Sequence, residues 1–174
     1  MRELTTQIIT AAAMAAGLPE GRVLDLSKAD NLTIPRPRIE LQWLPETYTR
    51  TGRKLGRRKG ASKGKLVLRK ELYTAKLQVS ANVLVEDEAW LAAFSVAFVK
   101  AFPRGVNDAQ GNWVTIRAEK AEWLNKPSPR IGLEKIQVFK KAAQLFVIGF
   151  TWRLTEETEQ QLIERVTLAI KTPT

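Results

Sequence analysis

Neither cysteine nor histidine occurs anywhere in the 174 residues. Their absence removes disulfides, thiolate nucleophiles, imidazole bases and the usual zinc ligands together. A chain without cysteine suits a reducing compartment without requiring one, since many extracellular and virion proteins also lack disulfides. Long hydrophobic runs are missing as well. The longest apolar stretch, residues 89–99, is broken by Ser95 and falls well short of the roughly 20 residues that span a bilayer. At the N-terminus, Glu3, Thr5, Thr6, Gln7 and Thr10 interrupt any leader-like apolar region, so the alanine run there reads as a helix. No membrane segment is expected.

With 44% hydrophobic and 26% charged residues, the chain has the composition of an ordinary folded protein. Its length fits one domain, residues 1–174, with a real core. The net charge is +10, and its distribution says more than its total. Residues 46–65 hold eight cations, Arg50, Arg53, Lys54, Arg57, Arg58, Lys59, Lys63 and Lys65, against the single acid Glu46. The basicity is therefore local. Glycines at 52, 56, 60 and 64 punctuate the same segment, which reads as a flexible basic arm.

The spacing predicts a helix over 3–16, with Leu4, Ile8, Ala11, Ala12 and Ala15 on one face and Gly17 and Pro19 as its stop. Residues 20–36, rich in turn formers, read as a surface connection. Ile39, Leu41 and Trp43 alternate with polar residues as in a strand. Beyond the arm, Tyr73, Ala75, Leu77, Val79, Ala81, Val83 and Val85 share one face of a second strand. It is expected to pair with the first and to carry a bulge or break between Arg69 and Leu72. The arm then forms a long hairpin loop. Glu86, Asp87 and Glu88 open a second helix, carried by Trp90, Leu91, Phe94, Phe98 and Phe102 and stopped by Pro103.

Residues 104–112 read as a turn, 113–118 as a short strand, and 133–139 and 143–154 as two more strands or one bent ribbon. The last is apolar on both faces: Phe146, Ile148, Phe150 and Trp152 on one, Leu145 and Val147 on the other. Thr155 looks like an N-cap for a third helix, with Glu156 and Glu157 in its first turn and Leu162, Ile163, Val166 and Ile170 along one face. The order α-β-β-α-β-β-β-α, without regular βαβ alternation, predicts an α+β fold. Its mixed, largely antiparallel β-sheet is flanked by helices.

Few residues propose themselves for chemistry. The basic segment lacks the spacing of a phosphate loop, because three residues rather than four separate its glycines and a strand follows rather than a helix. The acid clusters Glu86–Glu88 and Glu156, Glu157 and Glu159 sit at expected helix starts, where the helix dipole accounts for them. Asp25, Ser27, Asp30 and Asn31 lack the glycine and distal glutamate of a calcium loop. No catalytic residue, cofactor or metal is expected, and the protein does not read as an enzyme. Three readings of the arm stay open: a solvated hairpin tip, a contact with an acidic protein surface, or a non-specific contact with nucleic-acid phosphates. Of the five tryptophans, Trp123 alone lies in an irregular stretch, 119–129, which marks it for a subunit contact.

Taken together, the N-terminal helix, the strand ending Ile39-Glu40-Leu41-Gln42-Trp43, the long loop and the run from Leu72 to Val79 leading into the second helix resemble the tail terminator family of long-tailed phages. The late strand ending Phe150-Thr151-Trp152-Arg153-Leu154 and a terminal helix complete the likeness. The resemblance implies a homohexameric ring that stops tail-tube growth and joins the tail to the head–tail connector. It also implies a structural role in the virion after assembly in the host cytoplasm. A non-specific nucleic-acid-binding protein and another head–tail connector component are the alternatives.

Overall fold

The alternating stretches do form strands, and they dominate the chain. The computed structural model describes residues 1–27, 34–60, 65–124 and 142–161. Among these lie two helices, α1 (Arg2–Ala15) and α2 (Glu88–Ala101). The strands are β1 (Val23–Asp25), β2 (Arg38–Trp43), β3 (Thr47–Arg50), β4 (Lys54–Lys59), β5 (Lys65–Val85), β6 (Gly105–Asn107), β7 (Trp113–Trp123) and β8 (Ala142–Gln161). The fold is α+β with a curled mixed sheet. Its strand order is β1-β2-β5-β8-β7-β6, and β3 and β4 also pair with β5. Only β1 and β2 are parallel among the pairs whose registers are defined; β2/β5, β4/β5, β6/β7 and β7/β8 are antiparallel.

The chain divides into two compact units. The first comprises residues 1–47 and 75–152 and contains the main hydrophobic core cluster of the described residues. On β5, Ala75, Leu77, Val79, Ala81 and Val83 are fully buried at every second position, and they meet Ile39 and Leu41 of β2 in the expected pairing, Ile39 opposite Val83 and Leu41 opposite Ala81. Phe146, Ile148 and Phe150 of β8 join the same core. Each Val, Leu, Ile or Phe among these, fully buried, contributes about 1.5–3 kcal/mol relative to exposure.

Helix α2 begins where its acids predict. The Asp87 carboxylate accepts a hydrogen bond from the Ala89 amide at 2.9 Å, the usual N-cap arrangement. Its aromatic residues then stack at helical spacing: Trp90 on Phe94 at 4.7 Å, Phe94 on Phe98 at 5.3 Å, and Phe98 edge-on to Phe102 at 4.9 Å. Phe98 also meets the edge of Phe146 on β8 at 5.3 Å, tying helix to sheet.

Several expectations give way. Helix α1 buries Ile8, Ile9, Ala12 and Ala13 while Ala11 and Ala15 are exposed, so its inner face is rotated from the one read in the sequence. The stretch 20–36 is not all surface connection, because β1 adds to the sheet edge beside β2. Residues 104–112 contain β6 as well as a turn. In that turn the Asp108 carboxylate accepts hydrogen bonds from the amides of Gln110 and Asn112. Burial pushes its pKa up, but these bonds and the Asn112 side chain outweigh burial and leave it below the ordinary value. Strand β7 extends through Trp123, so 119–123 is not irregular. Helix and strand predictions over 133–139 and 162–170 fall outside the described residues.

One irregularity in β7 organises its neighbours. The register with β8 shifts between Ala118 and Lys120, which leaves Glu119 as the extra residue of a bulge. Glu119 accepts hydrogen bonds from Lys76 at 3.1 Å and Gln78 at 2.6 Å, both on β5. Strand β8 lies between β7 and β5, and Glu119 crosses it at Gly149. A Cβ there would stand 2.7 Å from the Glu119 carboxyl carbon, so any larger residue obliges the Glu119 side chain to move.

Candidate interaction surface

The second unit, residues 48–74 and 153–174, holds the basic segment. Residues 46–65 do not form one open loop: β3 and β4 lie within them, and β4 runs antiparallel to β5 with Arg57 opposite Leu68 and Arg58 opposite Val67. The backbone ladder continues through the Glu71 amide to the Arg53 carbonyl at 2.7 Å and the Thr51 amide to the Leu72 carbonyl at 3.0 Å. The expected bulge between Arg69 and Leu72 is not on β5, which runs unbroken. The register shift lies on β4, between Lys54 and Gly56, facing Lys70 and Arg69.

The third helix is overturned over 155–161, where β8 continues as strand. Thr155 is no N-cap, and the acids Glu156, Glu157 and Glu159 start no helix. Instead Glu157 pairs with Arg58 and Glu159 with Lys65, both at 2.8 Å, and Thr155 accepts from Arg69 at 3.4 Å. Arg153 reaches Glu71 at 3.5 Å, and Glu71 is itself 4% exposed and bonded to the Thr74 hydroxyl at 2.7 Å. The physical reason is cross-strand pairing. Acids that suit a helix start also suit a strand laid beside cations, and the Thr residues at 151, 155 and 158 favour the strand.

Of the eight arm cations, Arg50 ends β3, Arg53 precedes β4, and Lys54, Arg57, Arg58 and Lys59 lie on β4. Lys65 opens β5, and Lys63 lies outside the described residues. The structure brings Arg57 and Arg58 together with two arginines the sequence reading passed over, Arg69 and Arg153. With Leu55, Gly56, Val67 and Glu157 they line an open groove of about 560 Å³. Arg69 and Arg153 fall outside residues 46–65. The alternation of polar and apolar residues on either side of them was the signal for a strand.

In the first unit, Trp123 ends β7 and is 44% exposed beside Leu124 at 43%. Trp113, at the other end of the strand, is 56% exposed and was not singled out in the sequence. Helix α2 turns Ala92, Ala93, Val96 and Val99 outward, and all four are exposed. The Asp25 carboxylate accepts from the Trp43 indole at 2.9 Å and from the Ser27 amide and hydroxyl. That engages two of the loop's candidate oxygen ligands within the fold, while Asp30 and Asn31 lie outside the described residues. No group of three or more potential metal-ligating side chains occurs among the described residues. Among them, too, no helix is long and apolar enough to cross a membrane.

No family model matches the chain, and no curated protein matches its sequence.

Proposed function

We propose that this protein is a structural component of a virion, a ring-forming tail terminator. It would cap the tail tube of a long-tailed bacteriophage and join that tube to the head–tail connector. The observation that carries this reading is the apolar surface of the first unit. Trp113 at one end of β7 and Trp123 with Leu124 at the other are exposed at positions about 30 Å apart along an 11-residue strand. The outer side of α2 adds Val96 and Val99. A helix apolar on every side is ordinarily covered. Two unlike patches on one chain suit a head-to-tail contact between copies, which closes into a ring when the rotation permits. The mechanism is then wholly structural: one ring face meets the last tube ring, the other the neck, and DNA passes through the centre.

Native mass, measured for the protein alone and mixed with tail tubes, tests the reading. Trp123→Glu and Val96→Glu are each expected to abolish the ring while changing folding stability by no more than about 0.5 kcal/mol, as exposed positions do. A chain that stays monomeric in both conditions overturns the proposal. Added connector protein in the same measurement separates a tail cap from another connector component. The second reading, non-specific binding of nucleic acid, draws on the arginine-lined groove of the second unit.

A further inference from the structure

We infer that the groove lined by Arg57, Arg58, Arg69 and Arg153 binds the phosphodiester backbone of a nucleic-acid duplex, and that Glu157 is its built-in competitor. The inference rests on the second reading above, and it stands or falls separately from the ring, because it is read on the free chain.

Charge is the first argument. The described residues of the second unit carry ten Lys and Arg against four Glu, so internal pairing leaves a large positive excess. Arginine contributes a planar fork of donors that matches phosphate oxygens. The existing pair is readily exchanged. Arg58 and Glu157 meet at 2.8 Å with their side chains 70% and 43% exposed, and an ion pair so exposed contributes at most about 1 kcal/mol. Phosphate can therefore replace the carboxylate while Glu157 holds Arg58 in place beforehand.

Gly56 is the second argument. It lies on β4 opposite Arg69, within the groove, and no atom comes within 4 Å of the place its Cβ would occupy. Its backbone does not require glycine. It stands at the register shift of β4, and without a side chain there the groove stays open down to the strand backbone, with room for a phosphate chain to lie against it. The choice between phosphate and an acidic peptide follows from the carboxylates already present. A peptide would exchange one carboxylate for another with little gain, whereas a duplex also releases its condensed counterions. Phosphate contacts carry no base information, so the binding is sequence-blind.

Fluorescence anisotropy of labelled mixed-sequence DNA and RNA duplexes with the full chain, at low salt and at four times that salt, tests this. The native protein is expected to bind, and to lose about 3.5-fold in affinity per phosphate contact across that salt step. Arg57→Ala and Arg69→Ala should each remove about one such factor. Glu157→Gln should tighten binding about two- to fivefold, the equivalent of an exposed ion pair. Gly56→Asp should weaken it about tenfold without moving the thermal transition, which separates loss of the site from loss of the fold. Tighter binding of DNA than RNA, or the reverse, identifies the source of the phosphate chain. The inference is overturned if neither duplex binds in a salt-sensitive way, or if Gly56→Asp and Glu157→Gln leave affinity unchanged. It is equally overturned if polyglutamate displaces the duplex as effectively as unlabelled duplex does, since the groove would then belong to an acidic peptide.

Discussion

Replacing Phe98 with alanine is expected to destabilise the protein by about 3–5 kcal/mol, the range for a buried aromatic truncated in a core. Phe98 is fully buried and touches three other rings: Phe94 and Phe102 on its own helix and Phe146 across on β8. Aromatic pairs of this geometry contribute beyond the area they bury, so the loss should sit at the upper end of the range. Chemical denaturation, followed by tryptophan fluorescence, measures it. Trp90 stacks on Phe94 in the same row, which makes it a local reporter. A cost below about 1 kcal/mol would mean that α2 does not rest on the sheet through this ring. Phe98→Leu, which keeps most of the volume, should recover more than half of the lost stability.

Gly149→Val should cost about 1–2 kcal/mol, because the new side chain meets the Glu119 carboxylate and forces it off its partners on β5. For a chain of this length that lowers the thermal midpoint by roughly 2–8 °C. Rescue by a second substitution distinguishes this cause from a general intolerance of β8. In a Glu119→Ala background the same Gly149→Val change should cost less than about 1 kcal/mol, a coupling that distant sites do not show. Acid offers an independent test of the same contact. Partial burial opposes ionisation of Glu119, yet hydrogen bonds from Lys76 and Gln78 and the charges of Lys76 and Arg117 outweigh it and hold its pKa below the ordinary 4.5. A carboxylate whose pKa is depressed on folding stabilises above its unfolded value and loses that contribution as pH falls through the folded one. The stability difference between the native protein and Glu119→Gln should therefore be constant near neutrality and shrink below about pH 4.5. A difference that persists unchanged in acid would remove ionisation from the account.

The elements legible in the sequence were those whose signal is contained in a few neighbouring residues. Ile39 and Leu41 alternate with polar residues, and both are fully buried on β2. Asp87 caps α2 and Pro103 follows its end, as local chemistry requires. The odd-numbered face of β5 from Ala75 to Val85 is buried throughout. At Tyr73 the pattern continues in sequence but not in burial, since that residue is 36% exposed. It belongs to the second unit and is not part of the main core cluster.

The sequence by itself determined the period of each long strand, the start and end of α2, and the concentration of positive charge beside β5, because backbone sterics, capping and side-chain alternation act over a few residues. The tertiary structure decided whether 155–161 became helix or strand. Its acids and threonines satisfy either locally, and the choice fell to Arg58, Lys65 and Arg69, which lie 86 to 99 residues away in the chain. It decided the role of Glu119 in the same way. Whether a strand glutamate is solvated or bridges a neighbour depends on a bulge in β7, a glycine at 149 and two donors on β5, and no window along the chain contains all of them. Propensity is worth only a few tenths of a kcal/mol per residue, so it leaves such segments open until the chain brings their long-range neighbours together.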